Sequence, residues 1–331
     1  MGKLKSFGIA LLLAGTLCSC EKDIEFIGQY DGEKMVMFSC ASAGKPMEVI
    51  LSKSSFILST DESDPALAVK DAKVTGRAGG RTIEFSTNPD FPGRYFSSYE
   101  PSEGETVELF ATCPGFESVS SVATVPGRPS FSVDRAEIVN VDDSYHRAKV
   151  RVTIHDAAGV HNCYRLQLSR ELTFDYGSRQ DTIMDILYPV SRDPMFVDSQ
   201  DEVGIFAGAF DGDDPYVPDY FDDGLIDGLD YTFEMSFEYY DYDDIYYYTW
   251  DEERHGDTSD AEMTSRFSIE LSNVSEDLYK YALSLDAYNG FDAEILSLMG
   301  EAVCVHSNIE GGIGCFGAMN SALDYFTLQE N

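Results

Sequence analysis

The stretch from Gly312 to Gly317 reads Gly-Ile-Gly-Cys-Phe-Gly and matches the G-x-G-x-x-G turn of dinucleotide-binding proteins. In those proteins a strand precedes the turn, a helix follows it, and an acidic residue comes about 20 positions later. Only fourteen residues follow Gly317, so a complete βαβ unit does not fit after it. We therefore predict that these glycines belong to a terminal strand and tight turns, where one backbone passes close to another.

Carboxylates that suit a hard cation are concentrated between residues 211 and 260, where eighteen Asp and Glu side chains accompany a single arginine. Ca²⁺ prefers such oxygen ligands on loops, although the glutamate at the twelfth position of an EF-hand is missing. A calcium site is therefore one interpretation of Asp211, Asp213, Asp214, Asp222 and Asp223.

Aromatic side chains alternate with these carboxylates. Tyrosine offers a rigid amphipathic surface for stacking on sugars or packing against a protein. A second interpretation is therefore a surface that recognises a ligand or partner, made of Tyr216, Tyr220, Tyr240, Tyr242, Tyr246, Tyr247, Tyr248 and Trp250. A solvated loop beside strands that use their tyrosines for packing stays open as the third.

Residues that would carry catalysis form no recognisable pattern. His155 and His161 flank a predicted turn, which is more typical of exposed histidines than of a two-histidine site. The sequence has no G-x-S-x-G elbow, and no carboxylate pair stands out as the acid and base of a glycosidase. We therefore expect no catalytic residues and a protein that is not an enzyme.

The cysteines also give little support to a metal site, because their spacing includes no C-x-x-C. Five lie outside the N-terminal segment described next: Cys40, Cys113, Cys163, Cys304 and Cys315. Buried free thiols are the simpler expectation, and a disulfide between Cys40 and Cys113 is left open.

The N-terminus has the anatomy of a signal peptide over residues 1–19: Lys3 and Lys5 precede an apolar run from Phe7 to Leu17. That run is shorter than the roughly 20 residues that span a bilayer. It ends in Leu17-Cys18-Ser19-Cys20, which resembles the lipobox of bacterial lipoproteins and implies lipidation of Cys20. An ordinary secreted protein is the alternative interpretation.

Residues 20–31 would then form a lipid anchor and tether. Its start, Glu21-Lys22-Asp23-Ile24-Glu25, is similar to the surface-export signals of Bacteroidetes-type lipoproteins, although any solvated acidic tether looks alike. The full chain carries a net charge of −36 and no cluster of basic residues. Such a body repels nucleic-acid phosphates, so binding to nucleic acid is excluded.

The remaining chain predicts a mainly β protein in two domains. Short alternating runs broken by turn residues over 32–127 indicate an immunoglobulin-like sandwich. Pro126-Gly127-Arg128-Pro129 marks the boundary. Over 128–331 we predict a larger antiparallel β domain, which opens with a hairpin around Asp156–Gly159. One helix is expected near 275–288, with Ser275 as its N-cap.

Two segments resemble a Bacteroidetes surface-lipoprotein family of unknown function. They are Asp222-Asp223-Gly224-Leu225-Ile226-Asp227-Gly228, with its D-D-x-x-I-D-G pattern, and the terminal S-N-I-x-x-G-x-G-x-F-G that spans residues 307–317. The order of lipobox, sandwich and helix agrees with that family, so the resemblance covers the whole mature chain. The family has no established catalytic residues.

The resemblance implies an accessory role, because members are often encoded beside TonB-dependent outer-membrane receptors. We therefore expect a surface protein of the outer membrane that is held by a lipid on Cys20. It would bind an extracellular ligand or dock on such a receptor. An adhesin or structural surface protein without a transporter partner is the alternative, and a glycan or peptide hydrolase is the third hypothesis.

Overall fold

Strands dominate the computed structural model, which describes residues 32–54, 67–141, 145–175, 177, 180–197, 215–240, 262–289 and 304–329. The strands within these ranges are β1 (Met35–Ser42), β2 (Met47–Lys53), β3 (Lys73–Ala78), β4 (Arg81–Glu84), β5 (Ser86–Thr87), β6 (Arg94–Ser97), β7 (Thr106–Thr112), β8 (Val119–Thr124), β9 (Ser130–Val141), β10 (Tyr145–His155), β11 (Cys163–Asp175), β12 (Gln180–Leu187), β13 (Tyr220–Asp222), β14 (Asp230–Tyr240), β15 (Glu262–Val274) and β16 (Ile313–Phe326). The helices are α1 (Pro194–Val197) and α2 (Glu276–Asn289). The predicted mainly β class, with antiparallel sheets and a helix near the C-terminus, is confirmed.

The strands form one long sheet and two short ones. The long sheet runs β12-β11-β15-β16-β1-β2-β6-β5, and β13 also pairs with β11. The short sheets are β4-β3-β7-β8 and β14-β10-β9. The strand pairs are antiparallel except β1 and β16, which run parallel from Val36 opposite Ile313 to Ser42 opposite Met319. All these strands belong to one compact unit, Glu33–Asn331.

Two hydrophobic cores lie on the same face of the long sheet. The first, against β4-β3-β7-β8, contains Met37 and Leu109, which are fully buried. The second, against β14-β10-β9, contains Ile154 and Phe237. Strand β16 contributes to both, because Phe316 lies in the first core and Phe326 in the second. Even-numbered residues of a strand share one face, so a single strand joins the two cores.

Helix α2 covers the opposite face of the long sheet. Its Leu278 packs in a small cluster with Val274, Cys163 and Cys315. Ser275 precedes the helix as predicted, but its Oγ accepts a hydrogen bond from the Ala318 N–H at 3.0 Å. The Ser275 N–H in turn donates to the Ala318 carbonyl at 2.8 Å. The residue before the helix therefore ties α2 to β16.

The predicted boundary at Pro126–Pro129 falls between β8 and β9, where the chain passes from one short sheet to the other. Asparagines of the long sheet hold this segment. Asn320 Nδ2 donates to the Pro126 carbonyl at 3.1 Å, and Asn273 Nδ2 donates to the Gly127 carbonyl at 2.8 Å. The long sheet thus backs both predicted domains, whose division at this point stays a prediction.

The predicted hairpin around Asp156–Gly159 is wrong in its pairing. Both strands form as expected, but β10 pairs with β9 and β14, whereas β11 pairs with β12, β13 and β15. The chain between them crosses from a short sheet to the long one. Alternating hydrophobicity shows which face of a strand is buried, and it does not name the neighbouring strand.

Neither α1 nor α2 is long and apolar enough to cross a membrane, and these are the helices within the described ranges.

Candidate functional site

The crossing segment 156–162 is held by a turn that follows β13. Asp223, which is 2% exposed, accepts hydrogen bonds from the Asn162 N–H at 2.6 Å and from His161 Nδ1 at 2.8 Å. Its own N–H donates to the Asn162 carbonyl at 3.1 Å. A buried carboxylate is stable only when such donors satisfy it. Asp223 therefore fixes the path of the chain between the two sheets.

Two further carboxylates join this network. Asp156 accepts hydrogen bonds from the Gly228 N–H at 2.8 Å, from the Asn162 side chain at 3.1 Å and from the Tyr164 hydroxyl. Asp227 accepts a bond from the Gly159 N–H at 2.8 Å. Burial, together with the Asp156 carboxylate, raises the pKa of Tyr164, so its hydroxyl remains a donor at neutral pH.

Asp156, Asp223 and Asp227 place carboxylate oxygens within 4.8 Å of one another, which among the described residues makes them a group of three that could hold a metal ion. Of the five residues predicted as calcium ligands, the group contains Asp223 alone. Asp222 instead accepts a hydrogen bond from the Gly224 N–H at 2.9 Å. The other three, Asp211, Asp213 and Asp214, lie outside the described residues. Backbone and side-chain donors already form hydrogen bonds to most of these carboxylate oxygens. The geometry of the cluster therefore favours a structural role, in which the three carboxylates fix the turn.

His161 also faces Cys163. The imidazole Nε2 lies 3.8 Å from the Cys163 Sγ, while Nδ1 faces the buried Asp223. This cysteine–histidine–aspartate line has the order found in thiol nucleophiles. Burial raises the pKa of the Cys163 thiol to about 12, and the nearby carboxylates of Asp222, Glu276 and Asp223 add to the shift. The thiol therefore stays protonated at neutral pH, which argues against a resting nucleophile.

The C-terminal glycine motif has a structural cause. A Cβ on Gly314, where φ is +120°, would lie 2.1 Å from the Met37 carbonyl oxygen of the parallel neighbour β1. A Cβ on Gly312 would lie 2.4 Å from the Met35 oxygen, and one on Gly311 would lie 2.2 Å from the Ser118 oxygen. No side chain fits at such distances. The predicted close approach of two backbones is confirmed.

The polar residues before the glycines complete this arrangement. Asn308 binds the Phe316 backbone twice: its Oδ1 accepts from the N–H at 2.9 Å, and its Nδ2 donates to the carbonyl at 2.8 Å. The Ser307 Oγ accepts a hydrogen bond from the Gly314 N–H at 3.1 Å. The stretch 307–317 thus shapes the entry into β16.

Sequence comparison decides the family of the chain. Residues 21–323 match the family described as domain of unknown function (DUF4249). The chain belongs to the DUF4249 family. The D-D-x-x-I-D-G segment of this DUF4249 chain forms the turn around Asp223, and its S-N-I-x-x-G-x-G-x-F-G segment forms the start of β16. Both motifs, in the described residues, make the contacts that hold the fold.

Other comparisons add little to the DUF4249 assignment. A search of curated proteins gives no match. Among solved structures the chain is similar to the crystal structure of collagen adhesin (CNA) from S. aureus, at 9% identity and a TM-score of 0.17. That comparison covers 89% of this chain and 93% of the other. A similarity this weak carries no argument about fold or function.

Three of the predicted recognition residues lie in described parts of the DUF4249 chain, and they fall on different elements. Tyr216 is 67% exposed and forms a bridge with Val190; Tyr240 is 50% exposed at the end of β14. Tyr220 packs against the cluster beneath α2, and burial raises the pKa of its hydroxyl. The predicted residues Tyr242, Tyr246, Tyr247, Tyr248 and Trp250 lie outside the described residues, as does Cys20.

The cysteines of the described ranges are free thiols. Cys40 lies in the cluster beneath α2, whereas Cys113 packs against the first core, so they sit on opposite faces of the long sheet.

The two turn histidines, His155 and His161, do not form one site, because His155 faces Asp230 at 2.6 Å and His161 faces Asp223. The sequence prediction missed Asp156, Asp227 and Cys163. The one sequence signal of this site is that Asp223 and Asp227 stand in the same motif.

Proposed function

We propose that this DUF4249 chain is a lipid-anchored protein on the surface of the bacterial outer membrane. It binds a ligand or docks on a partner, for which a TonB-dependent receptor is the candidate, and it performs no covalent chemistry. The observation that carries the proposal is the apolar run from Phe7 to Leu17, which ends at the lipobox cysteine Cys20 and is followed by an acidic tether. Stable anchoring takes more than one acyl chain, which lipoprotein-type modification supplies.

The geometry of the described residues supports binding over catalysis. The nearest approach to a nucleophile, Cys163 beside His161, is a buried thiol whose pKa is raised to about 12. The carboxylates of Asp156, Asp223 and Asp227 are engaged by donors of their own turn. Tyr216 and Tyr240, in contrast, offer exposed aromatic surface, which suits contact with a ligand or a protein.

Anchoring is tested with metabolic labelling by a fatty-acid analogue in cells that express the full chain. We expect labelling of the parent protein and none of Cys20→Ala, whereas Cys304→Ala, an exposed cysteine, keeps the label. Labelling of Cys20→Ala would overturn the lipobox assignment. Surface display is tested separately with protease added to intact cells. A chain that stays uncut there but is cut after lysis faces inward.

Partner docking is tested by mild crosslinking in native membranes, followed by purification of the tagged full chain in detergent. We expect a large outer-membrane receptor to co-purify, and Tyr216→Ala with Tyr240→Ala to reduce its recovery. Tyr188→Ala is the matched control, since Tyr188 is 69% exposed and lies outside the predicted surface. If no receptor is recovered, the adhesin alternative replaces the accessory role. Turnover of a glycan or peptide panel would revive the hydrolase hypothesis.

A further inference from the structure

We propose that His161 and Cys163 form the nucleus of a binding site for a zinc-class divalent cation, which the Glu276 carboxylate completes. The site lies where the crossing segment enters β11, beneath the first turn of α2. It does not depend on the lipid anchor or on a receptor, so it stands or falls separately from the proposed function.

The two donor atoms are spaced as ligands of one ion would be. The His161 Nε2 and the Cys163 Sγ lie 3.8 Å apart. In a tetrahedral zinc site, Zn–N bonds of about 2.0–2.1 Å and Zn–S bonds of about 2.3 Å place nitrogen and sulfur roughly 3.6 Å apart. An ion therefore fits between them after a shift of a few tenths of an ångström.

Asp223 prepares the imidazole for this role. Its side chain is 4% exposed and accepts a hydrogen bond from Nδ1 of His161 at 2.8 Å. A proton on Nδ1 leaves the lone pair of Nε2 free and directed towards Cys163. A carboxylate that orients a ligating histidine from behind is the usual outer partner in zinc sites. The same Asp223 also binds the Asn162 N–H at 2.6 Å, so the imidazole is held against a fixed backbone.

The third ligand comes from α2. Glu276 is the first residue of α2, two positions before Leu278, which packs in the same cluster as Cys163. Its carboxylate now pairs with Lys280 at 2.6 Å, on the exposed surface of the helix. Such an exposed pair contributes little stability, so a cation between Nε2 and Sγ can recruit Glu276 by a change of rotamer.

The charges around the site favour a cation. Asp222 lies opposite Cys163 where β13 pairs with β11, Asp223 lies behind His161 at 2.8 Å, and Glu276 pairs with Lys280 at 2.6 Å. These carboxylates attract a dication, and a thiol that coordinates it loses its proton. Thiolate and imidazole ligands select borderline-soft metals over Ca²⁺ and Mg²⁺. A metal ion can reach the site from solvent at His161, because the side chain of this residue is 57% exposed.

Titration of the full-length protein in detergent with Co²⁺, which reports on coordination by its spectrum, tests the proposal. We expect a thiolate-to-cobalt charge-transfer band that Zn²⁺ abolishes and excess Ca²⁺ does not. Cys163→Ser removes the band, His161→Ala weakens Co²⁺ binding at least about tenfold, and Asp223→Asn weakens it by about tenfold or more. Glu276→Gln weakens binding and leaves the charge-transfer band in place.

Two matched variants serve as controls. Cys315→Ser alters another buried thiol under α2, and His155→Ala alters the histidine–aspartate pair that joins the end of β10 to the start of β14. Both should keep the band and the affinity. Melting curves in EDTA show whether each variant folds, and His161→Ala, which removes a half-exposed side chain, remains informative if Cys163→Ser does not fold. Absence of a charge-transfer band, or its loss in Cys315→Ser alone, would overturn the proposal.

Discussion

Leu278 of helix α2 lies directly over Gly317 of strand β16, so that a Cβ built on Gly317 would stand 2.7 Å from the Leu278 Cβ. The two residues are 39 positions apart in the chain and lie in different layers. Helix and sheet approach this closely because position 317 carries no side chain. The last glycine of the motif therefore sets the distance of α2 from the long sheet.

Gly317→Ala should lower the free energy of unfolding by about 1–3 kcal/mol, because the added methyl group overpacks the contact with Leu278. Gly127→Ala is the control, since a Cβ there would find its nearest neighbour at 3.9 Å and φ is not positive. Urea denaturation measures both. Equal stability of the two variants would contradict the close packing of α2.

Gly314→Ala should be more damaging than Gly317→Ala. Its Cβ would lie 2.1 Å from a backbone oxygen, at Met37, and φ at this position is +120°. A backbone oxygen in a strand cannot move aside as the end of a flexible side chain can. The parallel pairing of β1 and β16 must therefore open. We expect faster hydrogen exchange at amides of both strands, measured by mass spectrometry. Unchanged protection in β1 would show that the pairing tolerates a side chain.

Asp223→Asn should destabilise the protein by about 1–3 kcal/mol, because an amide cannot accept two hydrogen bonds with the strength of a buried carboxylate. The chain offers a matched control in the exposed pair of Asp230, 76% exposed, with His155. Asp230→Asn should change stability by less than about 0.5 kcal/mol. Thermal melting in EDTA compares the two. A similar loss of stability in both variants would show that Asp223 does not fix the crossing segment.

Stability should fall at alkaline pH partly through Cys315. Burial, followed by the charge of Asp277, raises the pKa of this thiol from 9.0 to about 12. A raised pKa in the folded state means that the contribution is fully present below pH 9 and is lost as the pH rises towards 12. By pH 11 the loss is on the order of 2–3 kcal/mol.

Cys315→Ala should therefore flatten the pH dependence of unfolding between pH 9 and 11, measured by urea denaturation in EDTA. Val274→Ala in the same cluster is the control, because it removes apolar contacts without removing a titrating group. It should lower stability by a similar amount at every pH. Parallel curves for Cys315→Ala and the parent protein would show that this thiol does not titrate with unfolding.

The strands, the helix near the C-terminus and the role of the glycine motif follow from local patterns in the sequence. The alternating runs within 32–127 and on either side of Asp156–Gly159 form strands as predicted, because a strand that buries one face must alternate. The sequence does not indicate which strands pair with each other. Nothing in the sequence near Ser39 indicates that Phe316 will lie beside it, 277 residues further along.

The candidate site could not be predicted from the sequence for a similar reason. Asp223 and Asp227 stand in one motif, but Asp156 and Cys163 reach them only because the chain between β10 and β11 changes sheets. A hairpin at that place would have directed these side chains elsewhere. Local pattern cannot distinguish a tight turn from a crossing between layers, since both need the same polar and glycine residues.

The place of β16 between two cores has a consequence for how the protein forms. Both cores lack a strand of the long sheet until β16 (Ile313–Phe326) has formed, because β16 lies between β1 and β15 and contributes to each core. A chain that is synthesised from its N-terminus exposes the unpaired edge of β1 until β16 has formed, and chains with unpaired strand edges aggregate readily. Contacts that close across nearly the whole sequence also make folding slow. Completion of both cores is therefore expected to wait for β16, and until then the exposed edges of β1 and β15 are sites that a chaperone would bind.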